Sequence, residues 1–460
     1  MKNLRFTLVF IVLCYNFSKA QTLLNYGYNY GTLPTNINQS DVTSAYTSWK
    51  NTFTENCNDG RIRVIFDTPT ETVSEGIGYG MLAATFAGDQ DLLDGLWNYY
   101  NDFLNQNGVM NWKINGCQSV AEYNGATDAE LDVALALIIA SKRWGNDGSI
   151  DYEQDAKDLI QIIKDHEVEN GTNVLKPGDV WGGSSTTNIS YFAPGYYRAY
   201  KEITGDSSWD AVADKSYEII AANQEKTGAV YNLVSDWCKA DGNFSTEVSW
   251  ARNQGQKYDY DASRTPWRIA LDYLWSGNSD ALAYANKCID FINAKNGLNN
   301  IYPGYNLDGS AFETSYKDVT FTGAYAVATM ASTDQNFVND AYSKVVEMTT
   351  DAYFGSTLRV LYLLTLSGNF YSPDIFSSTL SDIDYNKNEF ITFYPNPVAN
   401  TIHFSNTFSK INHVKIYDIN GRTLFENSYD SNEFTIDTSN FKSGIYFLDH
   451  NTIKQQFIKK

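Results

Sequence analysis

Ser74-Glu75-Gly76-Ile77-Gly78-Tyr79-Gly80-Met81 opens a segment unlike those on either side of it. It is apolar, carries almost no charge, and starts on a cluster of glycine, aromatic and acidic residues. Residues 41–56 before it and 89–104 after it are instead amphipathic. They carry charges on one side and apolar residues at three-to-four spacing, the pattern of solvent-facing helices. The same alternation continues to about residue 370. Charged helices are expected at 152–166, 208–223, 279–293 and 333–348, and apolar ones starting near Asp128, Tyr191, Asp261, Phe321 and Phe354. Gly-Asn/Asp turns such as Gly145-Asn146-Asp147-Gly148 and Gly205-Asp206 divide them. Six of each kind in strict alternation predict an all-α (α/α)6 barrel, with apolar helices inside and charged ones around them. The starts of all six inner helices, where the acidic and aromatic clusters lie, would then converge on one cleft. A generic helical bundle would not place those clusters at every second helix start.

The composition changes after Leu366-Ser367-Gly368. Residues 371–390 read as a polar linker, and from 391 the chain reads as short strands and turns. Val414-Lys415-Ile416-Tyr417, an Asn420-Gly421 hairpin signal and Thr423-Leu424-Phe425 follow one another. Residues 391–460 hold 7 Lys and Arg against 6 Asp and Glu, a net of +1 that leaves −21 for the rest of a chain whose total is −20. A section of this size and pattern predicts a small C-terminal β-sandwich.

Residues 1–20 read as an export signal. Lys2 and Arg5 are followed by an apolar run over 6–14 and by Ser18-Lys19-Ala20, a small-residue cleavage site before Gln21. The catalytic candidate region is then 21–370. Removing the signal takes Cys14 and leaves Cys57, Cys117, Cys238 and Cys288, an even count with three possible pairings in an oxidising compartment. Cys57 and Cys117 both lie in loop-like Asn/Gly-rich sequence and are the favoured pair.

A net charge of −20 argues against nucleic acid and anionic membrane surfaces as partners. Four His in the whole chain, of which only His166 lies in the helical region, leave little for a His-dependent triad or a His-rich metal site. The Gly76/Gly78/Gly80 run lacks the preceding strand and the following Lys of a phosphate loop. Residues 382–388 resemble a calcium loop only faintly, with Lys387 where glycine is needed. The carboxylates remain, in a chain that is 15% aromatic with 33 Tyr and 10 Trp. Two carboxylates held apart in an aromatic-lined cleft meet the needs of glycosidic-bond hydrolysis. Glu75, among glycines and apolar residues at a helix start, would be partly desolvated and hold its proton as an acid. Asp261, in Tyr260-Asp261-Ala262-Ser263-Arg264-Thr265-Pro266-Trp267-Arg268, has Arg264 three residues on and on the same face. That positive charge suits a base that activates water. Asp259 is the competing candidate. In Ala126-Thr127-Asp128-Ala129-Glu130-Leu131-Asp132, Thr127 or Asp128 could cap the helix, with Glu130 and Asp132 as first-turn acids favoured by its dipole.

Together these motifs resemble glycoside hydrolase family 8 over about residues 25–370. The stretch from Ala126 through Trp144 is similar to the family signature, with Glu130 where aspartate is commoner. The resemblance implies an (α/α)6 barrel and a secreted inverting β-glycanase without metal or other cofactor. It makes Glu75 the general acid and Asp261 the general base, with Asp128 on the sugar beside the scissile bond. It also puts Trp112 (in Met110-Asn111-Trp112), Trp181, Tyr191 (in Ser190-Tyr191-Phe192-Ala193-Pro194), Trp237 (after Asp236), Tyr260 and Arg264 on the substrate. The contexts of Asp128 and Asp261 look closer to the endoglucanase branch, with a xylan hydrolase as the alternative within the family. A non-catalytic glycan-binding protein is the rival outside it. Phe393-Tyr394-Pro395-Asn396-Pro397, Val414–Asp418, Gly421-Arg422 and Ser443-Gly444-Ile445-Tyr446-Phe447 resemble the C-terminal sorting domain of the type IX secretion system. The expected partners are therefore a polysaccharide or oligosaccharide substrate and the secretion machinery, with the chain acting as a monomer.

Overall fold

The computed structural model describes residues 23–374 and, in the C-terminal section, 392–394, 397–405, 412–418, 422–429, 431, 433–450 and 453–460. The export signal, most of the linker, the faint calcium-loop segment and the Asn420-Gly421 turn lie outside the described residues. The chain divides after Ile375 into two compact units.

The first unit alternates two kinds of helix, as its periodicity requires. The charged kind is α1 (Gln39–Phe53), α3 (Gln90–Asp102), α5 (Tyr152–His166), α7 (Ser208–Thr227), α9 (Ser279–Ala294) and α11 (Gln335–Glu347). The apolar kind is α2 (Ser74–Ala87), α4 (Thr127–Trp144), α6 (Pro194–Thr204), α8 (Thr265–Ser276), α10 (Val319–Ala328) and α12 (Tyr353–Leu366). α2 and α10 are buried on every side over nearly their whole length, whereas α5 buries only Tyr152, Ala156, Leu159, Ile160 and Ile163. A helix apolar all round belongs inside, and one with a single apolar stripe belongs outside. Each apolar helix packs on the next, α2 on α4, α4 on α6 and so on to α12, which packs back on α2. The charged helices lie against this inner set. α3 packs on α2, α5 on α4, α7 on α6, α9 on α8, α11 on α10 and α1 on α12.

Short strands join the starts of the inner helices: β1 (Thr54–Asn56) with β2 (Ile62–Val64), β3 (Glu71–Val73) with β4 (Lys113–Asn115) and β5 (Ser119–Glu122), and β6 (Thr187–Asn188) with β7 (Trp237–Cys238). Cys57 and Cys117 form a disulfide, as their loop context suggested, and Cys238 and Cys288 are buried thiols. Two expectations need correction. Neither Thr127 nor Asp128 caps α4: the N-cap is Ala126, with no side-chain hydrogen bond. Glu130 and Asp132 are fully buried rather than sitting at a solvated helix start. The start of the linker also differs. Tyr371 is buried edge-on against Tyr26 and Phe86, because an aromatic ring gains more there than in solvent.

The regular elements among the described residues of the second unit are strands: β8 (Thr392–Tyr394), β9 (Thr401–Ser405), β10 (Asn412–Tyr417), β11 (Thr423–Tyr429), β12 (Glu433–Asp437), β13 (Gly444–His450) and β14 (Ile453–Lys459). They form antiparallel sheets in the orders β11-β10-β13-β14 and β12-β9-β8. Alternation places Ile402 and Phe404 of β9, Phe434 and Ile436 of β12, Val414 and Ile416 of β10, and Tyr446 and Leu448 of β13 in one shared core.

Candidate active site

Three inner-helix starts bring carboxyls to one buried guanidinium. Glu75 lies in the first turn of α2, Asp128 in the first turn of α4, and Asp261 just before the 3-10 turn Ala262–Arg264 that leads into α8. Arg264 Nη1 donates to Glu75 Oε2, Asp128 Oδ2 and the Tyr79 hydroxyl, each at 2.9 Å. Its Nη2 donates to Ser190 Oγ at 2.8 Å and to Asp261 Oδ1 at 3.3 Å. The guanidinium also faces the rings of Tyr191 and Phe354. Arg264 was expected on the substrate. At 1% exposed it lies beneath the carboxyls and ties three of them together. A rigid, permanently charged fork is suited to this. Because one planar group bonds both Glu75 and Asp261, their facing oxygens are at most two hydrogen bonds and a guanidinium width apart, about 8–9 Å.

The two outer carboxyls differ in their surroundings. Glu75 is 22% exposed, and burial pushes its pKa up to about 8, with Arg264 opposing the rise and Asp128 and Asp261 adding to it. The Tyr353 hydroxyl donates to Glu75 Oε1 at 3.2 Å and also pulls its pKa down. Gly76 makes room for this tyrosine, since a Cβ there would come within 2.8 Å of the hydroxyl. Asp261 is more open, at 35% exposed, and accepts the Trp237 indole N–H on Oδ2 at 2.9 Å. Asp128 is 2% exposed, and burial raises its pKa against the pull of Arg264. Its Oδ1 has no hydrogen-bond donor among the described residues.

Asp236 positions the Asp261 segment: its Oδ1 accepts the backbone N–H of Asp259 (2.9 Å) and of Ala262 (2.8 Å). Asp259, the rival base, is 1% exposed and held by Asn253 and Arg252. One turn further along both helices lies a second buried pair, Arg268 on Asp132, bonded at 2.5 and 2.7 Å.

The predicted aromatic residues flank these carboxyls. The Trp112 carbonyl accepts the Ser74 N–H at 2.9 Å, which sets Trp112 beside the Glu75 helix start. Trp181 stacks on Trp237 with centroids 5.6 Å apart, and Tyr191 meets Trp237 edge-on. The Tyr260 hydroxyl donates to Asp318 at 2.9 Å, and its ring packs on Phe321 and Phe354.

The family model described as glycosyl hydrolases family 8 matches residues 23–368. The chain belongs to that family. It is therefore a glycoside hydrolase, and a second family model, the secretion system C-terminal sorting domain, matches residues 392–460 and marks it as an exported protein. Endoglucanase A of Acetivibrio thermocellus is 41% identical over 372 residues, covering 77% of this chain and 76% of that one. Endoglucanase 2 of Ruminiclostridium josui is 42% identical over 347 residues, covering 73% and 72%. Among solved structures, the apo β-1,3-1,4-glucanase of Paenibacillus sp. X4 superposes with a TM-score of 0.69 at 30% identity, covering 75% of this chain and 97% of that one.

Several neighbours of the family 8 site went unsingled in the sequence. Tyr353 sits one residue before the helix-start aromatic Phe354 and has no motif of its own. Tyr79 was visible inside the glycine motif but not as a partner of Arg264. Trp250 lies in a loop without periodicity, yet packs on both Trp181 and Trp237.

Proposed function

We propose that this family 8 enzyme is a secreted inverting endo-β-1,4-glucanase, with Glu75 as general acid and Asp261 as general base. Glu75 protonates the leaving glycosidic oxygen, and Asp261 deprotonates a water that attacks the anomeric carbon from the opposite face. Asp128, held on the same guanidinium as the other two carboxyls, contacts the sugar beside the scissile bond and helps hold the ring distorted. Trp112, Trp181, Tyr191 and Tyr260 form the stacking walls. Trp237, expected on the substrate but only 3% exposed, backs them and orients Asp261 through its indole N–H, and Arg264 acts from below by fixing the carboxyls relative to one another. The observation that carries this reading is the single guanidinium shared by a carboxyl with a pKa of about 8 and a more open carboxyl bonded to an indole N–H. The upper limit it sets on their separation leaves room for the roughly 6.5–9.5 Å of an inverting pair, and the choice of inversion over retention rests on the family 8 resemblance. The endoglucanase relatives and the mixed-linkage glucanase neighbour support glucan over xylan.

Three structural readings belong with it. The inner ring closes as an (α/α)6 barrel, supported by the return of α12 to α2. The strands of 391–460 form a sandwich, supported by the core their two sheets share, and act as a type IX sorting domain joined to the catalytic region by the linker. One chain supplies all the reacting groups, so a single copy is a complete catalytic unit, as a monomeric enzyme requires.

The test is release of reducing sugar from barley glucan, carboxymethylcellulose and xylan by the wild type, Glu75→Gln and Asp261→Asn. Each substitution should lower kcat on the order of 10²–10⁴-fold with folding intact. Near-normal turnover by either variant refutes that residue's role, and faster cleavage of xylan than of glucan refutes the substrate.

A further inference from the structure

Trp250 is 68% exposed, yet it is not loosely held. Its ring meets Trp237 edge-on at 5.5 Å and Trp181 at 6.5 Å, so it continues the pair that borders Asp261. The loop beneath it is fastened at both ends. Val248 is fully buried, and its carbonyl accepts the Ala251 N–H at 2.9 Å. Arg252 pairs with Asp259 at 3.2 Å and lies over the Tyr260 ring, and Asn253 donates to the same Asp259 carboxylate at 2.8 Å. Gly255 has φ +66° and presses against Trp237, leaving no room for a Cβ. The two residues that immediately precede Asp261 thus anchor the loop that presents this indole.

A rigidly presented, largely wet indole forfeits the burial a tryptophan normally finds, and it gains that burial only when something apolar covers it. The substrate class already assigned to the neighbouring carboxyls offers such a cover, since the C–H face of a pyranose packs on an aromatic face. We propose that Trp250 is a further sugar-stacking residue, lying beyond Trp181 and Trp237 on the Asp261 side of the cleft, and that it sets the enzyme's preference for longer chains. The proposal rests on the glucanase reading above. A chain too short to reach Trp250 binds without it, and a longer one gains one more stacked ring.

The experiment compares wild type, Trp250→Ala and Trp250→Phe on a series of β-1,4-linked gluco-oligosaccharides from three to six units and on soluble barley glucan. Trp250→Ala should raise KM roughly threefold to tenfold on the hexamer and the polymer, at little change in kcat. It should leave the shortest cleaved oligomer within about twofold, and Trp250→Phe should restore most of the loss. The thermal midpoint should match the wild type. An equal loss at every chain length, a loss confined to kcat, or no loss at all overturns the proposal. Failure of the wild type to cleave any of these glucans instead overturns the glucanase reading, so the two failures are separable.

Discussion

The two units of this chain fill their interiors in opposite ways. Around the inner helices, Asp128, Glu130, Asp132, Arg264 and Arg268 are each at most 2% exposed, and four of the five are joined in ion pairs. In the C-terminal unit the core that the two sheets share, from Val398 to Phe457, is built from apolar side chains, and the charged side chain buried among the described residues, Lys459 at 7% exposed, donates to the Lys460 carbonyl. Burying a charge is costly unless a partner and hydrogen bonds meet it. The helical unit meets that cost by repetition: Asp128 and Asp132 are one turn apart on α4, and Arg264 and Arg268 one turn apart across α8. The upper pair reaches the carboxyls of the reaction and the lower pair only supports it. The C-terminal unit buries no such set of paired charges among its described residues, and its two sheets meet through apolar side chains.

This contrast can be broken by substitution. Arg264→Met leaves three carboxyls without their shared cation. It should abolish hydrolysis and destabilise the helical unit by about 3–5 kcal/mol. Phe404→Ala removes a ring stacked on Phe434 and should cost the C-terminal unit about 3–5 kcal/mol while leaving hydrolysis in the full chain unchanged. Denaturant unfolding and glucan turnover measured together check both. Loss of turnover in Phe404→Ala, at a denaturant level where the helical unit is folded, would mean the division of labour is wrong.

Glu130 sharpens the comparison, because it is a buried acid with no cation as partner. It accepts the Tyr100 hydroxyl at 3.1 Å, while its Oε2 has no donor among the described residues and the Glu167 carboxyl lies close by. Burial raises the pKa of Glu130 strongly, and Glu167 adds to the rise. The folded state therefore holds a proton that the unfolded chain releases near pH 4.3. Stability from this group is complete below that pH and falls as pH rises toward the folded value. Glu130→Gln should flatten that fall, gaining about 1–3 kcal/mol at pH 7 and little at pH 4. Thermal midpoints at the two pH values check it, and an equal change at both contradicts the assignment.

A smaller effect concerns Glu75. In its proposed role as general acid Glu75 donates its proton, so kcat/KM should decline above about pH 8, where burial has placed its pKa. Tyr353→Phe removes a hydrogen bond that pulls that pKa down, so the alkaline limb should move to higher pH. A pH–rate profile that does not move, or moves downward, contradicts this.

The alternation of helices was legible because it is a local property. Charges and apolar residues at 152–166 mark out α5 to the residue, and a glycine-rich apolar start marks α2. The carboxyls were legible for the same reason, since each stands in an unusual local setting. What joins them was not. Asp128 read as a possible cap because its neighbours in sequence suggest one, but its partner Arg264 is 136 residues away. Tyr353 reaches Glu75 across 278 residues, from a helix start that looks ordinary. The i, i+3 link from Asp261 to Arg264 was within reach of sequence reasoning, and it is present at 3.3 Å. Tertiary pairing decided the rest, including the burial of Arg264 beneath the carboxyls instead of against the substrate.

The central claim is that Glu75 and Asp261 act from opposite faces of the sugar, one giving a proton and the other taking one from water. Proton NMR of freshly cleaved gluco-oligosaccharide, read before mutarotation, tests it directly. With inversion at a β-linkage, the α-anomer should appear first at the new reducing end. Initial appearance of the β-anomer would mean retention through a covalent intermediate, and would contradict it.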